Sequence, residues 1–294
     1  MNENNKRGYL KEDFKFFHLK DKKSLDLEFH YHDFNKIIIF LSGNVTYLIE
    51  GKAYKLKPWD ILFVSSGEIH KPLIDSKQVY DRIVIWINHE FIESHNKNGC
   101  NLLNCFSLTK KRKLNILRLD GNGLEDIKYT LDKLDDTCSI EGFGNEILKN
   151  ALFLELMVYL NRLFMNTYTD KNQQTKDVQY DETVNSLLDY INENLSKDLS
   201  IDKLSSIFYV SKYYLMHKFK EQTGYTIHSY IQKKRLIKAS EFIKSGKPVT
   251  QVYLECGFGD YSNFVRAFKK NFGYAPKEYY KKRKSSYNTT NIEG

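Results

Sequence analysis

The sequence contains few of the cysteines that form disulfide frameworks and metal sites. Only four cysteines and four prolines occur among its 294 residues. Cys100, Cys105, Cys138 and Cys256 are too few and too irregularly spaced for a disulfide framework or a cysteine metal site. We therefore expect reduced, inert thiols and a cytoplasmic protein.

Long apolar runs are also missing. The most apolar stretch, 151–165, is interrupted by Glu155, Asn161 and Arg162, which a membrane-spanning helix would not carry. The first eight residues are polar, and no apolar segment of a signal peptide follows them. These absences predict a protein without a membrane partner.

Positive charge is in excess, and it is unevenly distributed. The net charge is +8, with 19 Lys and Arg against 12 Asp and Glu in residues 180–294 and 26 against 25 in residues 1–179. A basic C-terminal third beside a nearly neutral remainder predicts a polyanionic partner for that third alone. The length allows two domains, each with its own core.

The basic third contains a repeated pattern. In each copy a residue that can cap a helix precedes two apolar residues four apart, and a glycine follows where a helix commonly ends. The corresponding residues, 49 positions apart, are Ser211 and Asp260, Leu215 and Phe264, Phe219 and Phe268, Gly224 and Gly273, and Tyr230 and Tyr279. Shorter helical patterns at 201–208 and 249–255 precede the two copies, so we predict two helix-turn-helix units.

A single helix is predicted between the copies, over residues 226–244. At ~1.5 Å per residue it spans roughly 28 Å, close to the ~34 Å between successive major grooves on one face of DNA. This length would let both units reach the same side of a duplex.

Residues 183–282 resemble the DNA-binding domain of the AraC/XylS family of bacterial transcription regulators. Beyond the repeated residues, the resemblance is carried by Leu204, Tyr214, Lys220, Arg235, Leu236, Ala239, Gly257, Phe258, Lys269 and Pro276. It implies a sequence-specific regulator, an activator, that works with duplex DNA and RNA polymerase. Two positions depart from the family pattern: Tyr253 stands where Ala is usual, and Tyr280 where Arg is usual.

The resemblance also implies which residues contact DNA. The expected base contacts are Tyr213, Met216, His217, Ser262, Asn263 and Arg266, and the expected backbone contacts are Ser211, Lys220, Lys269 and Lys277. Arg266 can bind guanine and Asn263 adenine with two hydrogen bonds each. Backbone contacts position the protein without reading sequence. The basic run 281–284 fits a solvated tail and a nonspecific backbone contact equally well.

The N-terminal part has short strand patterns at roughly ten-residue spacing. The predicted strands are 27–32, 36–41, 45–49, 53–56, 61–64, 73–74 and 82–87. Such a series predicts a sandwich or barrel. The first twenty residues are charged and weakly patterned, and we predict a flexible arm there.

Residues 25–90 resemble the cupin-type effector domain that precedes many AraC-family DNA-binding domains. The residues that carry the resemblance are His30, Tyr31, His32, Gly43, Pro58, Trp59, Asp60 and 67–70. His30, His32 and His70 match the metal-binding histidines of cupins, but Lys36 stands about where their acidic ligand would be. Because a cation opposes metal binding, we expect no metal and no cofactor.

Two roles remain open for these histidines. They line or cap the barrel as structural residues, or they hydrogen-bond a small polar effector such as a sugar. Trp59 and Trp86 either stack on a sugar face or belong to the core. A metal-dependent cupin enzyme is the alternative function, but the sequence offers no convincing acid–base pair or nucleophile, so we expect no enzyme.

Helical patterns follow the barrel. Leu124, Ile127, Leu131 and Leu134 form one seam, and 146–168 is a longer helix that is apolar on most faces and must be covered. Burial in its own domain explains part of this, and a homodimer interface would explain the remainder. The predicted dimer contacts are Leu152, Leu156, Tyr159, Leu160 and Leu163.

Together these patterns predict a two-domain α+β protein. A cupin-like β-barrel with helices, for effector binding and dimerisation, is expected over 1–168, and a polar linker over 169–180. An all-α domain with tandem helix-turn-helix units is expected over 181–284, followed by a flexible tail over 285–294.

Overall fold

The computed structural model describes residues 10, 12–22, 28–75, 77–118, 123–167, 178–179 and 181–281. The chain forms two compact units, Met1–Gln179 and Tyr180–Gly294. Most of the predicted linker and all of the predicted tail lie outside the described residues. Within the described part of the chain, no helix has both the length and the apolarity needed to cross a bilayer.

The N-terminal unit contains two antiparallel sheets. Its strands are β1 (Phe14–Asp21), β2 (Asn35–Ser42), β3 (Val45–Ile49), β4 (Lys52–Lys55), β5 (Ile61–Val64), β6 (His70–Ile74), β7 (Tyr80–Ile87), β8 (Ile116–Leu117) and β9 (Val178–Gln179). The larger sheet has the order β1-β7-β2-β5-β8, and the smaller one the order β6-β3-β4-β9. The predicted β-domain is confirmed as two facing sheets.

The larger sheet is covered on both faces. Along β2, Ile37 and Ile39 pack into a core shared with helices, whereas Ile38 and Phe40 pack into a core that includes residues of the smaller sheet. Successive side chains of a strand point to opposite faces, so a strand buried on both sides reads as a continuous apolar run. The same alternation places Lys36 on the face toward the smaller sheet, beside Ile38.

The structure corrects two predictions for the start of the chain. Residues 14–21 are not a flexible arm, because β1 pairs with β7 along its whole length, from Phe14 opposite Ile87 to Asp21 opposite Tyr80. Charged residues on β1 obscured the pattern, as is common for an edge strand. The predicted strand 27–32 is also wrong, since of residues 28–32 only His30 pairs, in an isolated bridge with His70.

The described part of this unit also contains four helices: α1 (His89–Ser94), α2 (Asn104–Arg112), α3 (Leu124–Ser139) and α4 (Asn145–Thr167). Of the seam predicted on α3, Ile127, Leu131 and Leu134 are buried and Leu124 is partly exposed, and α4 carries Phe153 and Met157 into the same core. Phe153 stacks on Phe14 of the edge strand, with ring centroids 4.2 Å apart. The helices therefore close one face of the larger sheet.

This packing corrects the predicted dimer contacts on α4. Leu152, Leu156 and Leu160 are 6%, 0% and 0% exposed within a single chain. Tyr159 and Leu163 are partly buried against the same core. The apolar character of α4 is explained by its position between α3, α2 and the sheet, so Leu152, Leu156 and Leu160 offer no surface to a second chain. The contacts predicted at Tyr159 and Leu163 stay predictions.

The C-terminal unit is helical. Its helices are α5 (Glu182–Glu193), α6 (Ile201–Phe208), α7 (Lys212–Thr223), α8 (Ile227–Lys244), α9 (Val249–Glu255) and α10 (Tyr261–Phe272). The pairs α6–α7 and α9–α10 are the two predicted helix-turn-helix units, and α8 is the predicted connecting helix. The two-domain α+β organisation is confirmed.

The second helices of the two helix-turn-helix units, α7 and α10, begin and end in the same way. The hydroxyl of Ser211 accepts a hydrogen bond from the Tyr214 amide at 3.2 Å, and Asp260 Oδ1 accepts one from the Asn263 amide at 2.7 Å. Each 12-residue helix ends at a glycine in the left-handed region, Gly224 with φ 73° and Gly273 with φ 82°. Both ends follow from the residues that the sequence repeats.

The turn of the second unit requires its glycine. Gly257 has φ 83°, and a Cβ atom there would lie 2.3 Å from the Leu195 carbonyl oxygen. Arg235 of α8 donates to that same oxygen from Nε at 2.8 Å. The connecting helix is thus tied to the end of α5 at a point where no side chain fits on residue 257.

Candidate DNA-binding surface and ligand site

The outer face of α7 presents large side chains that folding does not explain. Leu215 and Phe219 fill the core, whereas Tyr213 and Met216 are 77% and 48% exposed. Tyr213 stacks on the exposed His217, with ring centroids 6.0 Å apart. Exposed apolar groups beside polar ones indicate a contact surface, and a thymine methyl group is one apolar feature of the major groove.

The outer face of α10 is polar. Phe264 and Phe268 are fully buried, and Ser262, Asn263 and Arg266 are exposed. Arg266 Nη2 donates to Asn263 Oδ1 at 3.2 Å, so the two groups predicted to bind guanine and adenine are adjacent. In the free protein they satisfy each other in part, and base edges would have to replace that hydrogen bond.

The predicted backbone contacts are all exposed. Lys220 and Lys269 occupy the last turns of α7 and α10, and Lys277 follows in the next segment. Ser211 uses a lone pair to cap α7, which leaves its hydroxyl hydrogen for a phosphate. These four assignments stay predictions.

The two departures from the family pattern have different consequences. Tyr253 is half-buried, and its ring centroid lies 5.4 Å from that of Tyr261 and 6.4 Å from that of Phe264. The large ring is therefore accommodated at the edge of the aromatic core. Tyr280 is 38% exposed and offers no cation, but the exposed Lys281 follows directly.

A second candidate site lies in the N-terminal unit, where three histidines converge. One nitrogen each of His30, His32 and His70 lies within 4.8 Å of the others. His30 and His70 also exchange backbone hydrogen bonds of 3.1 and 2.9 Å. The segment before β2 is thereby held against β6, and the structure brings together the histidines that the sequence singled out.

Hydrogen bonds to backbone carbonyl groups fix the tautomer of two of these rings. His30 Nδ1 lies 2.8 Å from the Glu28 carbonyl oxygen, and His70 Nδ1 lies 2.9 Å from that of Glu68. A carbonyl only accepts, so each Nδ1 carries the hydrogen and each neutral ring keeps its lone pair on Nε2. This is the tautomer that ligates metals through Nε2.

Lys36 occupies the lone pair of His70 and lies beside His32. Its Nζ donates to His70 Nε2 at 3.1 Å and lies 3.5 Å from His32 Nε2. The sequence placed Lys36 near the position of an acidic ligand, and the structure puts its ammonium among the imidazoles. A cation is thus already present in the cluster, tethered to β2, and it opposes a metal ion there.

Burial strongly perturbs these groups. Desolvation, with the positive charge of Arg82, lowers the pKa of Lys36 from 10.5 to about 7. Desolvation and then Lys36 lower the pKa of His32 to about 2 and that of His70 well below its usual 6.5. His32 and His70 are therefore neutral hydrogen-bonding groups at any ordinary pH.

The two tryptophans have different surroundings. Trp86 lies beside the cluster, with its ring centroid 6.2 Å from His32 and 4.9 Å from Phe34. Trp59 packs against the helix-side core, and Lys128 Nζ lies 5.1 Å from its ring centroid. Trp86 fits the predicted effector site, whereas the contacts of Trp59 are those of a core residue.

The lowered pKa of Lys36 predicts that the stability of the folded protein depends on pH. Between pH 7 and 8.5 the unfolded state keeps the lysine proton and the folded state releases it, so stability rises with pH by about 1.5 kcal/mol. Urea unfolding at several pH values measures this through tryptophan fluorescence, because both tryptophans of the chain lie in this unit.

The matched variant for this measurement is Lys36→Met, which should remove most of the rise. The window starts at pH 7, above the ordinary histidine pKa of 6.5, so the lowered pKa values of His32 and His70 add only a small part of it. It ends at 8.5 because buried Cys105 and Tyr80, whose pKa values are raised to about 12, act in the opposite direction at higher pH. An equal pH dependence in Lys36→Met would contradict the prediction.

Comparison with known proteins matches both units. Residues 23–93 match the family described as AraC-like ligand binding domain, and residues 204–282 match a helix-turn-helix domain. The HTH-type transcriptional activator RhaS of Escherichia fergusonii is 23% identical over 266 residues, covering 85% of this chain and 86% of the relative. The HTH-type transcriptional activator RhaR of Mannheimia succiniciproducens is 24% identical over 259 residues with the same coverage. The structure of ToxT from Vibrio cholerae is 16% identical, covering 92% of this chain and 98% of that one, with a TM-score of 0.37.

Proposed function

The chain belongs to the AraC family of transcription regulators, and we propose that it reads duplex DNA with α7 and α10 and responds to a small polar effector in its β-domain. It is a DNA-binding transcription activator with a ligand-binding domain. The metal-dependent enzyme considered from the sequence receives no support. RNA polymerase and a cytoplasmic setting belong to the same proposal.

The paired outer faces of α7 and α10 support the DNA-binding role. Each unit buries its apolar seam and presents exposed base-reading candidates, Tyr213, Met216 and His217 on one helix and Ser262, Asn263 and Arg266 on the other. The 18-residue helix α8 separates the units by a length of roughly 27 Å. Two adjacent major grooves on one face of a duplex fit this spacing.

Selection from a random duplex library tests this role. The full-length protein should enrich two short conserved segments whose centres lie about 10 base pairs apart. Enrichment of a single segment, or of none above bulk DNA, would contradict the tandem arrangement. The selected duplex then serves as the specific site for the variants described below.

The histidine cluster and Trp86 support the effector role. The rings of His30, His32 and His70 can donate or accept hydrogen bonds, and Trp86 offers an aromatic face beside them. RhaS and RhaR are named as activators, and a carbohydrate is the effector class that we propose for this chain. Ligand binding would have to favour one state of the regulator, since equal affinity for two states shifts nothing.

We place the homodimer contact at the turn between α3 and α4. Phe143 and Ile147 are 111% and 78% exposed, and the neighbouring Ile140 and Leu148 are also exposed. Four large apolar side chains exposed within nine residues of sequence are costly in a monomer and typical of an interface. This surface replaces the buried leucines of α4 as the proposed contact.

Sedimentation of the full-length protein checks the dimer. At micromolar concentration the wild type should be dimeric, and the double variant Phe143→Asp, Ile147→Asp monomeric, because buried carboxylates oppose the association. Leu254→Asp, at an exposed leucine of the other unit, should remain dimeric. A monomeric wild type would contradict the proposed homodimer. A dimeric double variant would show that the contact lies outside the turn between α3 and α4.

A further inference from the structure

The polar cluster inside the β-domain has an imbalance of charge. Lys36 is 8% exposed and its hydrogen-bond partners are two neutral imidazoles, His32 and His70. No carboxylate of the described residues pairs with it, whereas Arg82, the other buried cation on this face, pairs with Asp21 at 2.6 Å. A buried charge without a counter-ion is costly, which is why the pKa of Lys36 falls to about 7, and an anion beside the amine would favour its charged form.

The cluster also has too few hydrogen-bond acceptors. Trp86 Nε1 is buried and has no acceptor among the described residues. Its ring lies beside His32, and its backbone is directly opposite Lys36, because Trp86 and Lys36 are partners in the β2–β7 register. A buried indole N–H without a partner is uncommon, and this one belongs to the residue that pairs with Lys36 across β2 and β7.

We infer that the effector of this protein carries a carboxylate, which binds at Lys36 with the Trp86 indole as a second donor. A single ammonium matches a single negative charge, so a hydroxy acid or sugar acid fits better than a phosphate ester. The neutral imidazoles would then hydrogen-bond the hydroxyl groups of the same molecule. This inference rests on the effector role proposed above and narrows its chemistry from an uncharged ligand to an acidic one.

One side of the cluster lies close to the protein surface. His30 and His32 are only partly buried, so the cluster reaches the surface on their side while Lys36 lies deeper. A carboxylate reaching Lys36 would replace weak neutral acceptors by a charged one, and hydrogen bonds to charged groups are roughly twice as strong. The uncompensated lysine thus acts as the group that selects for an acid.

Matched pairs of small molecules test the inference on the full-length protein. The probes are acetate against acetamide and gluconate against sorbitol, at constant ionic strength and up to about 50 mM, since weak binding in that range is expected of fragments. The readouts are the midpoint of urea unfolding and the tryptophan emission of the folded protein, to which Trp86 and Trp59 both contribute. The carboxylates should raise the midpoint, and their neutral partners should raise it far less.

Three variants locate the effect. Lys36→Met should abolish the response to carboxylates, and Trp86→Phe should weaken their binding about tenfold by removing one donor to a charged group. Lys128→Met removes a lysine of the same unit that lies against Trp59, and the response should stay unchanged. A Lys36→Met protein that still responds would overturn the inference.

The outcomes separate this inference from the function that it refines. Stabilisation by sorbitol that equals or exceeds that by gluconate would overturn the acidic effector and leave a neutral carbohydrate in place. If none of the four probes acts on the wild type, both the carboxylate site and the effector role of this cluster are overturned. Selective action of gluconate, lost in Lys36→Met, supports both.

Discussion

Replacing Lys36 by glutamate is expected to convert the histidine cluster into a divalent metal site. Three imidazole nitrogens already lie within 4.8 Å of one another, and the Nε2 lone pairs of His32 and His70 now face an ammonium. The substitution removes that cation and supplies the carboxylate that three histidines would need. Zinc or nickel should then bind with one-to-one stoichiometry, measured by calorimetry on the full-length protein.

The expected gain in affinity is at least about 100-fold over the wild type. Two unit charges 4 Å apart interact by about 4 kcal/mol at an intermediate dielectric. The repulsion between an ammonium and a dication is therefore larger than the free energy of a 100-fold change in affinity. Lys36→Met, which removes the charge without adding a ligand, should give an intermediate affinity. Adding His32→Ala to the glutamate variant should abolish binding.

Two results would contradict the role given to Lys36. One is tight stoichiometric metal binding by the wild type, which would also revive the metal-dependent enzyme. The other is a folded Lys36→Glu protein that binds zinc no better than the wild type. Comparing tryptophan emission with and without the added substitution Trp59→Phe isolates the signal of Trp86, 6.2 Å from His32, and reports whether the variant keeps the local structure.

Arg266→Ala is expected to weaken binding to the selected duplex by roughly 1–3 kcal/mol while barely changing binding to random DNA. Arg266 is exposed on α10 and hydrogen-bonds Asn263, so its loss disturbs no core packing. Arg266→Lys keeps the charge but not the two-pronged geometry, and it should lose most of the same specific affinity. Fluorescence anisotropy with both duplexes measures the difference.

Lys269→Ala is the matched control for a backbone contact on the same helix. It should weaken binding to both duplexes alike and make the dependence of log K on log salt shallower by about one unit. Equal losses on specific and random DNA in Arg266→Ala would make Arg266 a phosphate contact instead. A purely specific loss in Lys269→Ala would reverse the two assignments.

The helix-turn-helix units were predictable because their signals are local. A cap at Ser211 or Asp260, an apolar pair four residues apart and a glycine at the end are read within twelve residues, and the structure reproduces each of them. Helical hydrogen bonds connect near neighbours, so such patterns need no information from distant parts of the chain. The tandem arrangement followed from repetition alone.

The sheet was less predictable at its edge. β1 carries charged residues and pairs with β7 about 66 residues later, a partner that no local pattern reveals. The dimer contact predicted at the buried leucines of α4 was wrong for a different reason. The helix is indeed apolar on most faces, but the sequence does not show which elements of the same chain cover those faces. Phe143 and Ile147, which remain exposed, were not distinguished from the leucines that the core buries.

The sequence by itself determined the two-domain organisation, the repeated DNA-binding units and the three histidines, because each depends on spacing along the chain. Only the tertiary structure decided what those histidines do. Pairing of β2 with β7 sets Lys36 opposite Trp86, and the bridge between His30 and His70 completes the cluster around the ammonium. The electrostatics of the site arises from residues as far apart in the sequence as 30 and 86, which only the folded structure brings together.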